Sequence, residues 1–522
     1  MAQGECPTPR RVAVVGAGAA GTLTAVHLAA GRPRGHRGEP VEILLVDPAE
    51  HPGRGVAYST SDDRHLLNVP AKGMSAFPDR PDHFLDWLCR HVDSPTGPGD
   101  FARRSDFAAY LDDTLRTVVA DTDGVTVVHR RTRATGLTVR DGAVDLTLAD
   151  GSQVRADAAV VAPGVFAPGT AWAPPELVGH HRFVADPWAP GALAAVPDDG
   201  AVLLVGTGLT GVDVALTLDR PGRTLHLVSR RGRLPAVHAS GRYQTAGPPL
   251  PELLSVARGS RPADLDHLRR LVARTMREAV RGRHDWRAGF DTLRPLTGAL
   301  WSSLSVGDRA RFVREDAAWW DLHRHRMAPA SAAALHDMRR DGRLTVAADE
   351  VVAVAPVRDR LEVRLRSGRV VRVAAVVNCT GPLGDVRRAG DPFLDHLLAA
   401  GVATAGPLGL GLATDDGRLV DARGTSAAPV WTLGAMRRGE LWESTAVPEI
   451  RDQAAGVAAA VHEDLSAVPR RRPPATPETT RGVMPAHPLR RVPSWLTAGR
   501  YGRTGAPPGA RAGSPSGRWH AP

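Results

Sequence analysis

The sequence predicts an α/β fold in which one strand–turn–helix–strand unit is used twice, and three observations carry that expectation. A G-x-G-x-x-G turn follows a short apolar run at Gly16 and again at Gly206, each turn opens a helical stretch, and each unit is followed by a block of alternating strands. With 522 residues and 43% hydrophobic side chains, the chain can bury a core large enough for two or more domains.

In the first unit the apolar run Val12 to Val15 ends in Gly16-Ala17-Gly18-Ala19-Ala20-Gly21, and a helical stretch continues to about Ala30. A second apolar run, Val41 to Val46, ends at Asp47. Gly16 allows the tight turn, Gly18 lets a backbone approach a pyrophosphate, and Gly21 permits close helix packing. Phosphate charge belongs at the helix N-terminus, where free N–H groups and the dipole favour it, and Asp47 is placed for the ribose hydroxyls. The second unit repeats the pattern with Val202 to Val205, then Gly206-Thr207-Gly208-Leu209-Thr210-Gly211, a helix to about Leu218 and a strand from Thr224 to Val228. Here Ser229-Arg230-Arg231 stands where the first unit has an acid. A carboxylate repels a 2'-phosphate whereas guanidinium and hydroxyl groups bind one, so the second site is expected to prefer NADPH to NADH.

The fold class is thus α/β with two Rossmann-like dinucleotide-binding domains. The alternating blocks read as β-meanders: 124–164 closes on Ala158 to Gly164, and 342–381 closes on Ala375 to Gly381. Between Leu250 and Leu344 the chain is rich in Arg, Leu, Ala and Trp at helical spacing and reads as a helical insertion. The expected boundaries are 10–165 for the first part of one dinucleotide-binding domain, 198–375 for an NADPH-binding domain with its insertion at about 250–340, 376–465 for a return segment completing the first domain, and 466–522 for a disordered basic tail.

The net charge of +10 belongs mostly to that tail, since residues 470–522 hold ten arginines and one acid, Glu478. The folded body is nearly neutral, which argues against a nucleic-acid groove. The three cysteines, Cys6, Cys89 and Cys379, are far apart and show no disulfide framework or redox pair. No apolar run approaches the roughly 20 residues of a membrane span, and the N-terminal segment lacks the apolar stretch of a signal peptide. The expectation is a cytoplasmic protein without a membrane span. Asp321, His323 and His325 alternate, so on a strand they would share a face, but Arg324 and Arg326 oppose a cation and no metal site is expected. Cys379 reads as core.

The chain resembles the flavoproteins with two dinucleotide-binding domains, and within them bacterial FAD/NAD(P)-binding proteins. Flavin-containing and N-hydroxylating monooxygenases are more distant relatives. The resemblance rests on Gly53-Arg54-Gly55-Val56-Ala57-Tyr58-Ser59, on His65 to Ala71, on Ser229 to Gly232 with Leu234-Pro235, on His323 to Pro329 and on Leu441 to Arg451, and spans about residues 10–462. It implies FAD in the first unit and NADPH in the second.

It also implies that Asn68 lies near the flavin, with His65 beside it as the second catalytic candidate. An uncharged amide suits a group that must be held without being protonated away. Both residues fit an alternative role as turn-stabilising groups. Trp431 to Gly434 reads as a last strand, and a helix beginning at Pro448 and running to about Val461 can aim its N-terminus at the flavin pyrimidine edge. Gly434, Trp442, Ser444, Thr445, Ala446 and Val447 are the cofactor-binding candidates of that segment, with packing of strand to helix as the alternative for the last five. Many relatives carry an Asp after the glycine of this strand, but Ala435 and Met436 follow here.

The expected function is an FAD-dependent NADPH oxidoreductase, most simply a monooxygenase acting on a small organic substrate with molecular oxygen through a flavin C4a-hydroperoxide. The alternatives are a reductase passing electrons to a quinone or protein acceptor, and a non-enzymatic redox sensor.

Overall fold

The computed structural model describes residues 9–32, 39–93, 96–239, 247–282 and 285–467. From residue 468 onward the tail expected over 466–522 lies outside the described residues.

The first domain starts from β1 (Arg10–Val15), in which Val12, Ala13 and Val14 are fully buried. A strand apolar on both faces suits a parallel sheet covered on each side. After β1 come α1 (Ala19–Ala30), β2 (Val41–Val46), the short α2 (Gly55–Tyr58), α3 (His83–His91), α4 (Arg104–Ala120) and β3 (Val125–Arg130). An antiparallel meander of β4 (Ala134–Arg140), β5 (Ala143–Leu148) and β6 (Gln153–Ala156) leads to β7 (Ala158–Val161). The parallel order is β3-β2-β1-β7.

The second domain repeats that order. It is built from β8 (Phe183–Val184), β9 (Val202–Val205), α5 (Leu209–Leu218) and β10 (Leu225–Ser229), and then the insertion intervenes. Six helices form the insertion: α6 (Pro251–Ala257), α7 (Leu265–Arg281), α8 (Trp286–Leu293), α9 (Thr297–Ser303), α10 (Val306–Glu315) and α11 (Ala317–Arg324). They close on a core of their own that includes Leu253, Leu268, Phe290, Trp301 and Trp320. α12 (Pro329–Arg340) instead packs Leu335 and Met338 into the second domain's core with Leu216, and delivers β11 (Leu344–Ala348). A second meander, β12 (Val351–Val357), β13 (Arg360–Leu365) and β14 (Val370–Val373), precedes β15 (Ala375–Asn378). The parallel sheet runs β11-β10-β9-β15-β8, so β11, β10, β9 and β15 match β3, β2, β1 and β7. The boundary expected at 375/376 therefore falls inside β15, whose Asn378 pairs with Val205, and the return begins after it.

The return comprises α13 (Pro392–Ala399), β16 (Thr414–Asp415), β17 (Arg418–Leu419), β18 (Val430–Thr432), the short α14 (Arg438–Leu441) and α15 (Val447–Ala467). β18 joins the first sheet parallel to β7, with Val430 opposite Ala159. Val447, Ile450, Ala454, Val457, Ala458 and Val461 recur at helical spacing and bury one face of α15 in the first domain's core with α1. His462 Nε2 ties the helix to the Leu28 carbonyl at 2.9 Å, beyond the end expected at Val461.

The reading of Asp321, His323 and His325 as one face of a strand is corrected by α11. Asp321 and His325 stand one helical turn apart and approach within 3.6 Å, while the His323 ring stacks on Phe290 at 5.8 Å. Tryptophan and leucine at helical spacing outweigh a five-residue alternation.

Candidate active site

The first glycine turn is closed by its neighbours. Gly16 has φ +98°, and a Cβ there would lie 2.2 Å from the Ala162 carbonyl oxygen. A Cβ on Gly21 would lie 1.8 Å from the Gly16 oxygen, so α1 and β1 approach as only glycine permits. Gly18 caps α1 without a side-chain hydrogen bond and the first turn carries no acid, leaving its N–H groups for an external anion. Asp47 accepts from the Ala17 N–H at 2.8 Å and from the Ala49 N–H at 2.8 Å. Its carboxylate thus braces the turn and keeps further lone pairs for hydroxyl groups.

A feature to which sequence reasoning gave no role completes this cradle. The Gly53 N–H donates to the Ala17 carbonyl at 2.8 Å, and Gly55 faces Gly18 closely enough that a Cβ on Gly18 would meet Gly55 Cα at 3.4 Å. Arg54 stands exposed between them. The available signal was two glycines flanking an arginine soon after Asp47.

The second turn has the same backbone and a more open setting. Gly206 has φ +117° with its Cβ position 2.1 Å from the Cys379 oxygen, and Gly211 packs against the Gly206 oxygen, but a Cβ on Gly208 would meet nothing within 4 Å. Gly208 caps α5, again without a side-chain bond or an acid in the first turn. The Ser229 hydroxyl lies 2.8 Å from Thr207 Oγ1 and accepts from the Gly232 N–H at 3.1 Å, while Thr207 Oγ1 donates to the Arg233 carbonyl at 2.6 Å. Ser229 therefore shapes the loop that carries the arginines. Arg230 is exposed and makes no ion pair among the described residues, and Arg231 donates to the Glu315 carbonyl at 3.3 Å.

Between the two domains lies a buried polar node. Arg104 of α4 pairs with Asp213 of α5 at 2.7 Å. Burial raises the Asp213 carboxyl above the usual range against the pull of Arg104. His65, only 2% exposed, sits 2.7 Å from Thr60 Oγ1 through Nδ1 and reaches Thr217 Oγ1 at 2.8 Å and the Asp213 carbonyl at 3.1 Å through Nε2. Thr217 Oγ1 also donates to Asp62 Oδ2 at 2.8 Å. Burial alone would raise Asp62, but hydrogen bonds from Arg64 and Thr217 hold it far below the usual range. Trp188 packs edge-on to His65 at 5.8 Å. The structure thus places His65 as a tie between domains, with both ring nitrogens engaged.

Asn68, three residues on, is half-buried and its side chain makes no hydrogen bond among the described residues. Its carbonyl accepts from His238 Nε2 at 3.0 Å. Burial, aided by the charge of Arg326, pushes His238 down to about 4, so the ring is a neutral donor that fixes the Asn68 backbone.

In the return segment Gly434 has φ +67° and donates its N–H to Gln453 Oε1 at 2.9 Å. Ser444 is fully buried and its hydroxyl has no partner among the described residues. Thr445 is exposed, Ala446 half-buried and Val447, which opens α15, buried. The Trp442 ring lies elsewhere, in the insertion core, 4.9 Å from Trp301 and 5.1 Å from Phe312. Arg294 holds Glu449 in the first turn of α15 by two bonds of 2.6 and 2.8 Å. The insertion is thereby fastened to the N-terminus of α15.

Residues 13–166 match the model of a family described as FAD-NAD(P)-binding. No protein of curated function matches the sequence. Among solved structures the fold is similar to L-lysine 6-monooxygenase from Pseudomonas syringae, at 17% identity over 88% of this chain and 100% of that one, with a TM-score of 0.55. It is also similar to ornithine hydroxylase from Pseudomonas aeruginosa, at 15% identity, 88% and 100% coverage and a TM-score of 0.54. The ornithine N-hydroxylase of Kutzneria sp. 744, solved with reduced FAD, NADP+ and L-ornithine, gives 13% identity, 88% and 99% coverage and a TM-score of 0.54. Residues 13–166 thus carry an FAD-NAD(P)-binding domain, and over 88% of its length the chain shares the fold of these three structures. No helix among the described residues is long and apolar enough to cross a membrane.

Proposed function

We propose that this chain is an NADPH-dependent flavin monooxygenase acting on a small organic substrate with molecular oxygen. The observation that supports it most is the shared two-domain fold with three N-hydroxylating monooxygenases, over 88% of this chain. Cysteine usage agrees: Cys379 is buried in a strand-end position and Cys89 is exposed and unpaired, so the dithiol of a disulfide reductase has no counterpart among the described residues.

The residues present fit both cofactors. The N-terminus of α1 with Gly16, Gly18 and Gly21 would hold the FAD pyrophosphate, Asp47 the ribose, and the start of α15 with Ser444 to Val447 the ring's pyrimidine side, where the dipole favours negative charge. The corresponding turn at Gly206, Gly208 and Gly211 would hold NADPH, with Arg230 and Arg231 at its 2'-phosphate. When bound, flavin supplies the route for a hydride from nicotinamide and for its electrons to oxygen. Asn68 offers an uncharged amide that binds and orients without moving a proton, and His238 fixes its backbone. The Arg104–Asp213 pair and His65 keep the two cradles in register across the domain boundary.

The test is substrate-stimulated NADPH oxidation by the flavin-loaded protein, with oxygen uptake and hydrogen peroxide measured together. Oxygen incorporated into product with little peroxide supports the reading. Electrons recovered wholly on a quinone or protein acceptor replace it with a reductase, and a chain that takes up no flavin removes both.

A further inference from the structure

The helical insertion lines a half-open space that the two cradles leave unexplained. It is a cavity of about 440 Å³ walled by Leu268, Leu300, Trp301, Phe312, Trp320 and Trp442, a size within the usual range for small-molecule sites. Arg269 and Asp316 also reach it, but they satisfy each other at 2.6 Å, and Glu315 and Asp266 take the remaining guanidinium bonds at 2.8 and 2.9 Å. The Thr297 hydroxyl donates back to the Leu293 carbonyl. The charged and hydroxyl groups of the inner wall are therefore already spent, and the Trp301 and Trp442 rings already meet the guanidinium groups of Arg309 and Arg438 at 5.4 and 4.6 Å, so burying a further ammonium or a carboxylate there is unfavourable. Only Arg277, exposed and without an ion pair among the described residues, adds an available charge, and it does so beside Met276.

What the wall does offer is aromatic surface. Trp301 and Trp442 lie 4.9 Å apart at 31°, and Phe312 stands at 89° to Trp442. These faces and edges suit a flat aromatic guest. Trp442 reaches this place through an uncommon backbone: φ 61°, ψ −64°, with the Glu443 N–H donating to the Leu441 carbonyl at 2.7 Å. This is a γ-turn of the rare, strained form. Five residues later the chain begins α15, so one short segment joins the cavity wall to the helix assigned to the flavin.

We propose that this cavity is the substrate pocket and takes a hydrophobic aromatic molecule, with no ammonium group and at most one anionic group held by Arg277; its role in turnover rests on the monooxygenase reading above. That class differs from the amino acid named in the Kutzneria structure.

The test uses the full flavin-loaded chain and titration calorimetry with 2-naphthoate, its neutral analogue 2-naphthol, and L-ornithine. Val272, half-buried on the cavity wall, is replaced in Val272→Trp to fill the space. One naphthoate per chain, bound about tenfold or more weaker in Val272→Trp and about threefold weaker in the exposed-site variant Arg277→Glu, with no ornithine binding, is the expected result. Arg277→Glu carries the charge arm if Val272→Trp lowers the melting temperature, and Trp319→Ala, at a ring 39% exposed on the same wall, carries the aromatic one. Neither naphthalene compound bound, equal affinity in wild type and variants, or ornithine blocked by Val272→Trp overturns the proposal. So does a dimer that Val272→Trp dissociates, since a second copy would then cover the cavity. Naphthoate bound at this wall by a chain that takes up no flavin leaves the binding class standing and removes the monooxygenase reading instead.

Discussion

The two glycine turns share one backbone and differ in what surrounds them. Around Gly18 the chain folds back: the Gly53 to Gly55 loop lies against the turn, and Asp47 braces it. Around Gly208 there is open space, and the neighbouring Arg230 is exposed without an ion pair among the described residues. Identical motifs thus make an enclosed cradle and an accessible one. The first suits a cofactor retained through many turnovers, the second a cofactor that must enter and leave each time.

Substitutions in the turns sharpen that contrast most. Gly21→Val puts a carbon 1.8 Å from the Gly16 oxygen and is expected to yield no folded, flavin-containing protein. Gly208→Ala meets nothing within 4 Å and is expected to keep full flavin content, with KM for NADPH raised only about threefold. Flavin absorbance per chain and steady-state NADPH oxidation read both, and a Gly208→Ala protein without flavin would break the comparison. An effect between those two is expected from Arg230→Ala: KM for NADPH rises about tenfold while that for NADH stays constant. Equal changes for the two coenzymes would remove Arg230 from the 2'-phosphate.

The smallest expected effect is in acid. Burial, the largest cause in each case, lowers His27, His83, His129 and His462 of the first domain below the ordinary imidazole range; in the second domain it lowers His226 of the sheet and pushes His238, whose ring is bonded to Asn68 of the first domain, to about 4. Their folded values lie below the unfolded one near 6.5, so the unfolded chain binds more protons and stability falls as pH drops below about 6.5. The first domain's sheet and helices, with four such rings against His226 alone in the second sheet, are expected to lose more. Hydrogen exchange followed from about pH 7 to about pH 5, taken relative to the intrinsic amide exchange rate at each pH, checks this: β1 and β7 should lose more protection than β9 and β15. The reverse order would place the acid-sensitive region in the second domain.

Some of this was legible in the sequence. Val202–Val205 and the end of α5 at Leu218 lie where apolar runs and glycines placed them, because such boundaries are fixed locally. The place of His65 was not legible, since its Nε2 partners stand 148 and 152 residues away on a helix of the other domain. The Trp442 ring was assigned to the cofactor by its sequence neighbours, whereas the γ-turn swings it into the insertion. Asp321 and His325 alternate in sequence, yet packing around Trp320 winds that segment into helix. In each case a contact distant in sequence overrode the local pattern.

The pairing of β18 with β7 has a consequence for the order of events during synthesis. Val430 meets Ala159 only after the whole second domain and the insertion have left the ribosome, and α15 reaches α1 later still. Until then the nascent first domain lacks a sheet strand and the helix that covers α1, and its core stays open. Flavin loading is consequently expected among the last steps of maturation. A chain interrupted before Val447 would carry an intact first glycine turn and remain colourless.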